Sequence, residues 1–230
     1  MPNAGHRVII FGESQLASLA HFYLRHDSPH EVVAFCVDAD YRDADVYEEH
    51  PLVDFESVEQ EYPPEDFRMF LPLSFKQMSH PRREKYREAK EKGYDCISYV
   101  SSEATTWADL DVGENCFIFE DNTIQPYVTI GDNCVLWSGN HIGHHTTIED
   151  HVFITSQVVV SGNCVVEEHS FLGVNSTVRD YTRIADHTLV GMGANIMSDT
   201  EPQQVLLGQK PREHPKKSLD FGGISHEPER

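Results

Sequence analysis

From Val112 onward every sixth residue is aliphatic: Val112, Ile118, Ile124, Ile130, Leu136, Ile142, Ile148 and Ile154, then Val160, Val166, Leu172, Val178, Ile184, Val190 and Ile196. If about a quarter of positions are aliphatic, chance gives fifteen such steps on the order of once in a billion trials. A second register lies four residues further on, beginning Cys116, Asn122, Val128, Cys134, Asn140 and Thr146 and ending at Thr200, with no side chain larger than Val or Asn. An amphipathic helix repeats near 3.6 residues and an alternating strand near 2, so neither explains a period of six. Six residues make one short strand and one corner, and three such units close a triangular coil of eighteen. The fifteen units therefore predict five coils stacked at about 4.8 Å, a prism roughly 24 Å tall. Glycine follows the aliphatic position at 113, 131, 143, 173 and 191, where the turn is expected to need conformational freedom.

Ahead of the repeat the pattern is that of alternating strands and helices. Residues 7–12 (RVIIFG) read as a buried strand ending at Gly12, and residues 14–25 as a helix with Leu16, Leu19, Ala20 and Tyr23 on its apolar stripe. A second strand is expected over 31–38, ending on Asp38, with a short strand or turn at 51–54 and a third strand over 67–73. Residues 79–93 form a helix with Pro81 near its start and Gly93 as its stop, and 94–100 (YDCISYV) a fourth strand. This alternation predicts a small parallel α/β sheet. Ligands of such sheets sit at the carboxyl ends of the strands, which gathers Gly12, Glu13, Ser14, Asp38 and Ser74 around one crevice. Gly12-Glu13-Ser14-Gln15 is not a full dinucleotide fingerprint.

Composition narrows the partners. The 230 residues are 39% hydrophobic and 24% charged, enough for a packed core. Acidic residues outnumber basic ones 38 to 18, a formal charge of −20, which argues against a nucleic-acid backbone or an anionic membrane as the main partner. A local cluster of cations and backbone N–H groups can still hold a small phosphorylated ligand. No apolar stretch approaches the roughly 18 residues of a spanning helix, and the first apolar run is too short for a signal peptide. Five cysteines without a CxxC pair suggest reduced thiols in a cytoplasmic protein.

Candidate chemistry concentrates in residues 137–147, WSGNHIGHHTT, with His141, His144 and His145 close together. His144 stands two places after Ile142 and should face outward; His141 is the competing base. His151, His169 and His187 recur every eighteen residues on another face. With Asn115 and Asn133 in the same column, they are expected at a solvated or interface turn rather than in a zinc ladder, and no metal ligand set is assigned. Trp137 is expected to fill a subunit interface. Cys116, Cys134 and Cys164 fit small corner packing.

The repeat, of the form [LIV]-[GAED]-x-x-[STAV]-x over about residues 112–200, resembles the hexapeptide-repeat acyltransferases. That resemblance implies a left-handed parallel β-helix assembled as a homotrimer. The two modules in this order resemble the sugar O-acyltransferase and sialic-acid O-acetyltransferase family. It includes N-acetyltransferases of nucleotide-linked 4-amino sugars, of bacillosamine and perosamine type. The resemblance implies a Rossmann-like nucleotide-sugar-binding domain over residues 1–105, an acyltransferase β-helix over 106–201 and a tail over 202–230. It also implies acetyl-CoA as donor and a nucleotide-linked amino sugar, a 4-amino-4,6-dideoxy sugar, as acceptor. Ser138-Gly139-Asn140-His141-Ile142-Gly143-His144-His145 matches the family's small-Gly-x-x-x-x-His segment, which makes His144 the general base with His145 beside it. Gly162, eighteen residues on, matches the family's N–H donor. Gly162, Gly173, Gly191 and Lys210 would meet the acyl donor, and Gly12, Ser14, Asp38, Ser74 and His141 the sugar nucleotide.

Two departures stand out. Leu73-Ser74-Phe75 replaces the family's Gly-Asn-Asn-like stretch, and His145 stands where relatives often carry the Asp or Glu that orients the base. His145 supplies no fixed negative charge, so another carboxylate, a carbonyl or water is expected to hold His144. Acylation of a sugar hydroxyl needs the same base. A metal enzyme resembling the γ-class carbonic anhydrases would need His141, His144 and His145 to converge, and a non-catalytic nucleotide-sugar-binding assembly would need no base at all.

Overall fold

In the computed structural model, which describes residues 5–220, two-residue strands run from Asp111–Val112 to Asn195–Ile196 at every sixth residue. Each pairs in parallel with the strand one coil away, as Ile130 does with Val112 and Ile148. Two faces have five strands each and the third has seven. The second residue of every strand belongs to the sixfold aliphatic series, and all but the half-buried Val112 are 6% exposed or less. All fifteen small residues of the second register are also buried, at 5% or less. An aliphatic column and a small-residue column thus fill the prism between them, and burial of each aliphatic side chain stabilises it by about 1.5–3 kcal/mol. The cysteines of this register, Cys116, Cys134 and Cys164, are free and buried.

The corners work differently from the sequence expectation. The glycines at 113, 131, 143, 173 and 191 do not supply positive φ; the residue two further on does, as at Asn115 (φ 53°), Asn133 (57°), His145 (58°) and Asn175 (56°). The glycines answer to crowding between coils. A Cβ at Gly131 would lie 2.2 Å from Asp150 Oδ1, and one at Gly143 would lie 2.5 Å from the Gly162 nitrogen.

The N-terminal module is a sheet of β1 (Arg7–Phe11), β2 (Glu31–Val37), β3 (Val46–Tyr47), β4 (His50–Asp54) and β5 (Arg68–Phe70) in the order β3-β4-β2-β1-β5. All pairs are parallel except the β3–β4 edge hairpin. Helix α1 (Gln15–Asp27) buries Ala17, Ala20, His21 and Leu24, so the expected stripe is rotated: Leu16, Leu19 and Tyr23 are only half-buried. A short helix α2 (Val58–Glu61) precedes β5, and α3 (His80–Glu91) follows it with Pro81 in its first turn. The fourth strand expected over 94–100 does not join this sheet as a unit. Cys96 makes a single bridge to Met69, and then β6 (Tyr99–Val100) pairs with Phe117–Ile118 as the first rung of the seven-stranded face. At the other end Val205–Leu206 adds the last rung. Among the described residues no helix is long and apolar enough to cross a membrane.

The seven-stranded face is where the two modules meet. Its outward side chains Phe117, Val135 and Phe153 share one buried cluster with Val8, Leu24 and Phe70 of the α/β module. Trp137 belongs to this intrachain seam, stacked on Phe119 at 4.6 Å and 7°, rather than waiting for a second subunit. Helix α3 lies along the neighbouring corner. Its Arg82 is 1% exposed and donates to the carbonyl oxygens of His151 (2.8 Å) and Val152 (3.3 Å). Burial pulls the Arg82 pKa down to about 10, which leaves it charged at neutral pH. His151 and His169 are buried beneath this helix, so that column is an interface within one chain and not a solvated turn.

Asp27, at the end of α1, ties the helix to the start of the prism. Its Oδ2 accepts from Tyr99 Oη at 2.6 Å and Ser102 N at 2.9 Å. Burial pushes its carboxyl up, but hydrogen bonds from Ser102, Tyr99 and Ser101 outweigh that and hold it below the ordinary aspartate value. A depressed carboxyl stabilises the fold above its unfolded pKa and loses that contribution as pH falls through the folded one. Asp27→Asn should therefore lower stability by about 1 kcal/mol at pH 7, a figure discounted for partial exposure. The gap from wild type should close in urea titrations below about pH 4, near and under the free carboxyl value.

Candidate active site

The segment rich in histidine turns the corner between the His141–Ile142 face and the Thr147–Ile148 face. Ile142 and Thr146 are buried in the column, which forces the two residues between Gly143 and Thr146 outward, and His144 and His145 are both exposed. The next coil brings Gly162 beneath the His144 ring. A Cβ there would lie 2.8 Å from His144 Cε1 and 3.0 Å from Nε2, so only glycine lets the imidazole sit this close to the backbone. Asn163 N donates to the His144 carbonyl at 2.8 Å, and His144 N donates to Gln125 Oε1 at 2.9 Å, which holds the corner from above and below. Among the described residues the Gly162 N–H has no hydrogen-bond acceptor.

The group against the His144 ring is His145 rather than the expected carboxylate or carbonyl. Its Nδ1 lies 3.1 Å from His144 Nδ1, and its ring packs on exposed Tyr127 at 4.6 Å. One nitrogen must carry the proton and the other accept it. If His144 donates from Nδ1, its Nε2 keeps a bare lone pair available as a base. His141 is half-buried on the flat face, paired in register with Thr123 and Val159, and makes no hydrogen bond to His144 or His145. Gly173 and Gly191 lie at the opposite edge of that face from Gly162, after strands Phe171–Leu172 and Leu189–Val190. Lys210 is exposed beyond the last rung.

A second concavity, a crevice of about 460 Å³, opens at the carboxyl ends of β1 and β2. Phe11, Ser14, Val37, Asp38, Tyr41 and Lys85 are among its lining residues. Gly12 has φ +112°, and a Cβ there would meet nothing closer than 3.6 Å, so the backbone conformation is what demands glycine. That turn starts α1 at the crevice, and Ser14 stands at its N-cap position without a side-chain capping bond. Asp38 Oδ1 pairs with Lys85 Nζ at 2.8 Å. Ser74 is exposed and lies just outside the lining, while its neighbour Leu73 is inside it. Lys85, Tyr41 and Gln125 escaped the sequence reading. Gln125 stands one coil back from Gly143, nineteen residues before His144, so the coil period alone does not single it out, and nothing in the sequence tells which side of α3 faces the crevice.

Comparisons with known proteins agree with this architecture. The family model described as bacterial transferase hexapeptide (six repeats) matches residues 111–144. No curated protein sequence matches the chain. Among solved structures, a mutant of perosamine N-acetyltransferase from Caulobacter crescentus in complex with CoA and GDP-perosamine superimposes with TM-score 0.76 at 19% identity. It covers 88% of this chain and 93% of that one. The acetyltransferase domain of PglB from Neisseria gonorrhoeae in complex with acetyl coenzyme A gives TM-score 0.78 at 16% identity, covering 89% and 97%. WeeI from Acinetobacter baumannii gives 0.69 at 15%, covering 88% and 97%. The chain thus has the fold of these solved structures, a small α/β module followed by a left-handed parallel β-helix of six-residue repeats.

Proposed function

We propose that the protein transfers the acetyl group of acetyl-CoA to the amine of a nucleotide-linked 4-amino-4,6-dideoxy sugar, acting as a homotrimer in the cytoplasm. The observation that carries this is the His144 imidazole lying over Gly162, whose N–H is unengaged. The sugar amine attacks the thioester carbonyl carbon while His144 Nε2 takes the proton it loses. The oxyanion that forms accepts the Gly162 N–H, a contribution of about 3 kcal/mol for one well-aimed donor. Collapse expels the CoA thiolate, which recovers the proton from His144. His145 holds the His144 ring through the bond between their Nδ1 atoms.

The crevice suits the nucleotide. Its phosphates would meet the N-terminus of α1 beside Gly12 and Ser14, where unpaired N–H groups favour an anion, and Asp38 with Lys85 would fix the remainder. Ser74 at the rim and His141 on the flat face would meet the sugar. The acyl donor would run from Gly162 across that face toward Gly173 and Gly191, with Lys210 near its phosphates. The CoA, GDP-perosamine and acetyl coenzyme A held by the similarly folded structures support this reading. Five buried free thiols accord with a reducing compartment.

The test is release of CoA thiol from acetyl-CoA with UDP-, GDP- and dTDP-linked 4-amino sugars, each beside its 4-hydroxy counterpart. One amino sugar should turn over well above its counterpart, and native mass should be that of three chains. No thiol release with any amino sugar overturns the proposal.

A further inference from the structure

The packing of α3 on the prism contains a group of imidazoles that acyl transfer does not use. His169 and His187 occupy the same corner position one coil apart, and their rings are 4.6 Å apart and 20° from parallel. His80, the first residue of α3, brings a third ring to 4.6 Å from His169 and 5.1 Å from His187. One ring nitrogen of each lies within 4.8 Å of the others.

The outer nitrogens of two rings are already committed. His169 Nδ1 donates to the Met78 carbonyl oxygen at 2.8 Å, and His187 Nδ1 donates to Asp186 Oδ2 at 3.0 Å. Both acceptors are oxygens, so each Nδ1 carries a proton, and in a neutral imidazole that leaves the lone pair on Nε2. This is the arrangement that orients metal-bound histidines, an outer N–H held by a carbonyl or carboxylate. His169 is 1% exposed and its Nε2 has no partner. His187 Nε2 faces His80 Nε2 at 3.1 Å. A single proton between that pair would satisfy those two nitrogens and leave His169 unmet, at the cost of a buried polar atom. A cation among the three meets every lone pair.

We propose that His80, His169 and His187 bind one divalent transition-metal ion, which clamps α3 to the last two coils of the prism. Zinc–imidazole bonds of about 2.0–2.1 Å set a tetrahedral N···N edge of about 3.4 Å, close to the His80–His187 separation. His169 reaches the same ion by turning its imidazole inward, and the fourth position is left to water. Three neutral imidazoles without thiolate or a hard oxygen cage select zinc, cobalt or nickel over magnesium or calcium. His80 and His187 are half-exposed, which gives the ion a way in. His151 lies outside the set: its Nδ1 is engaged with Asn133 Nδ2 at 3.0 Å. Because α3 also contributes Pro81, Glu84 and Lys85 to the crevice, the ion would fix one wall of that crevice to the column.

The experiment uses the untagged full chain, stripped with chelator and titrated with Co²⁺ and Zn²⁺, with no acyl-transfer readout. The wild type should bind about one equivalent of Co²⁺, with a visible d–d band lacking thiolate charge transfer, and Zn²⁺ should raise its Tm. His80→Gln and His187→Gln should each lower metal affinity at least about tenfold and abolish the thermal shift. His151→Gln and His144→Ala should retain both. Both key variants change half-exposed residues, and either one that folds decides the question. Uptake below about 0.1 equivalent by the wild type, binding unchanged in His80→Gln or His187→Gln, or binding lost with His144 overturns the proposal.

Discussion

Replacing His144 with alanine should lower kcat for the proposed acyl transfer by about 10²–10⁴-fold while the far-UV spectrum and Tm stay at wild-type values. A loss of that size is what removal of a positioned general base would cost. The fold is untouched because the ring is exposed and contributes nothing to the column. Gly162→Ala reaches the same loss by another route. It keeps its backbone N–H, but its methyl would lie 2.8 Å from His144 Cε1 and drives the ring off its seat. The two substitutions therefore should not add: in the His144→Ala background, Gly162→Ala should cost little further, since no ring is left to displace. Additive losses in steady-state rates would mean that Gly162 acts by something other than accommodating this imidazole.

A large structural effect is expected from Gly143→Ala. Its Cβ would meet the Gly162 nitrogen and the Ser161 carbonyl carbon, each at 2.5 Å, and both are backbone atoms of the next coil. Neither can rotate away, so the coils must part beside the site. Overpacking against backbone destabilises by about 3 kcal/mol, which lowers Tm by roughly 6–12 °C in a chain of this size. Gly191→Ala is the control. Its nearest contacts are at 3.2 Å, one of them the flexible Leu207 Cδ2, in the final coil. A calorimetric Tm that falls equally in both variants would refute the crowding account of the corner glycines.

Those glycines also show where sequence patterns stop. The sixfold spine was legible because each member is buried in the same environment, so side-chain chemistry repeats with the geometry. The left-handed backbone at the corners was not, because Asn115, Tyr127, His145 and Gln157 adopt it alike, and no shared side-chain class marks a purely backbone demand. The segment 94–100 is mostly apolar, with Asp95 and Ser98 three apart, and suits either sheet. Its division between Met69 and Phe117 depends on how the modules dock. Arg82 lies in a basic helix whose other charges are mostly exposed or half-buried, and only the packed structure reveals it reaching the His151 carbonyl. The outward position of the candidate base was readable from its offset to Ile142, and its role came from the resemblance of residues 138–145 and Gly162 to the family's segment. His145 as its support was not readable, since an imidazole in a carboxylate's place reads first as a loss.

The α/β module grips several rungs of the column, while His144 stands on one rung. Height along such a stack comes in whole steps: inserting one further eighteen-residue turn between Leu136 and His141 would carry the base away from the docked rungs at Phe117 and Val135 by a single spacing of about 4.8 Å. The reach of any molecule spanning both parts is consequently quantised by the number of turns, and a lineage could lengthen or shorten its acceptor only by adding or deleting such turns entire.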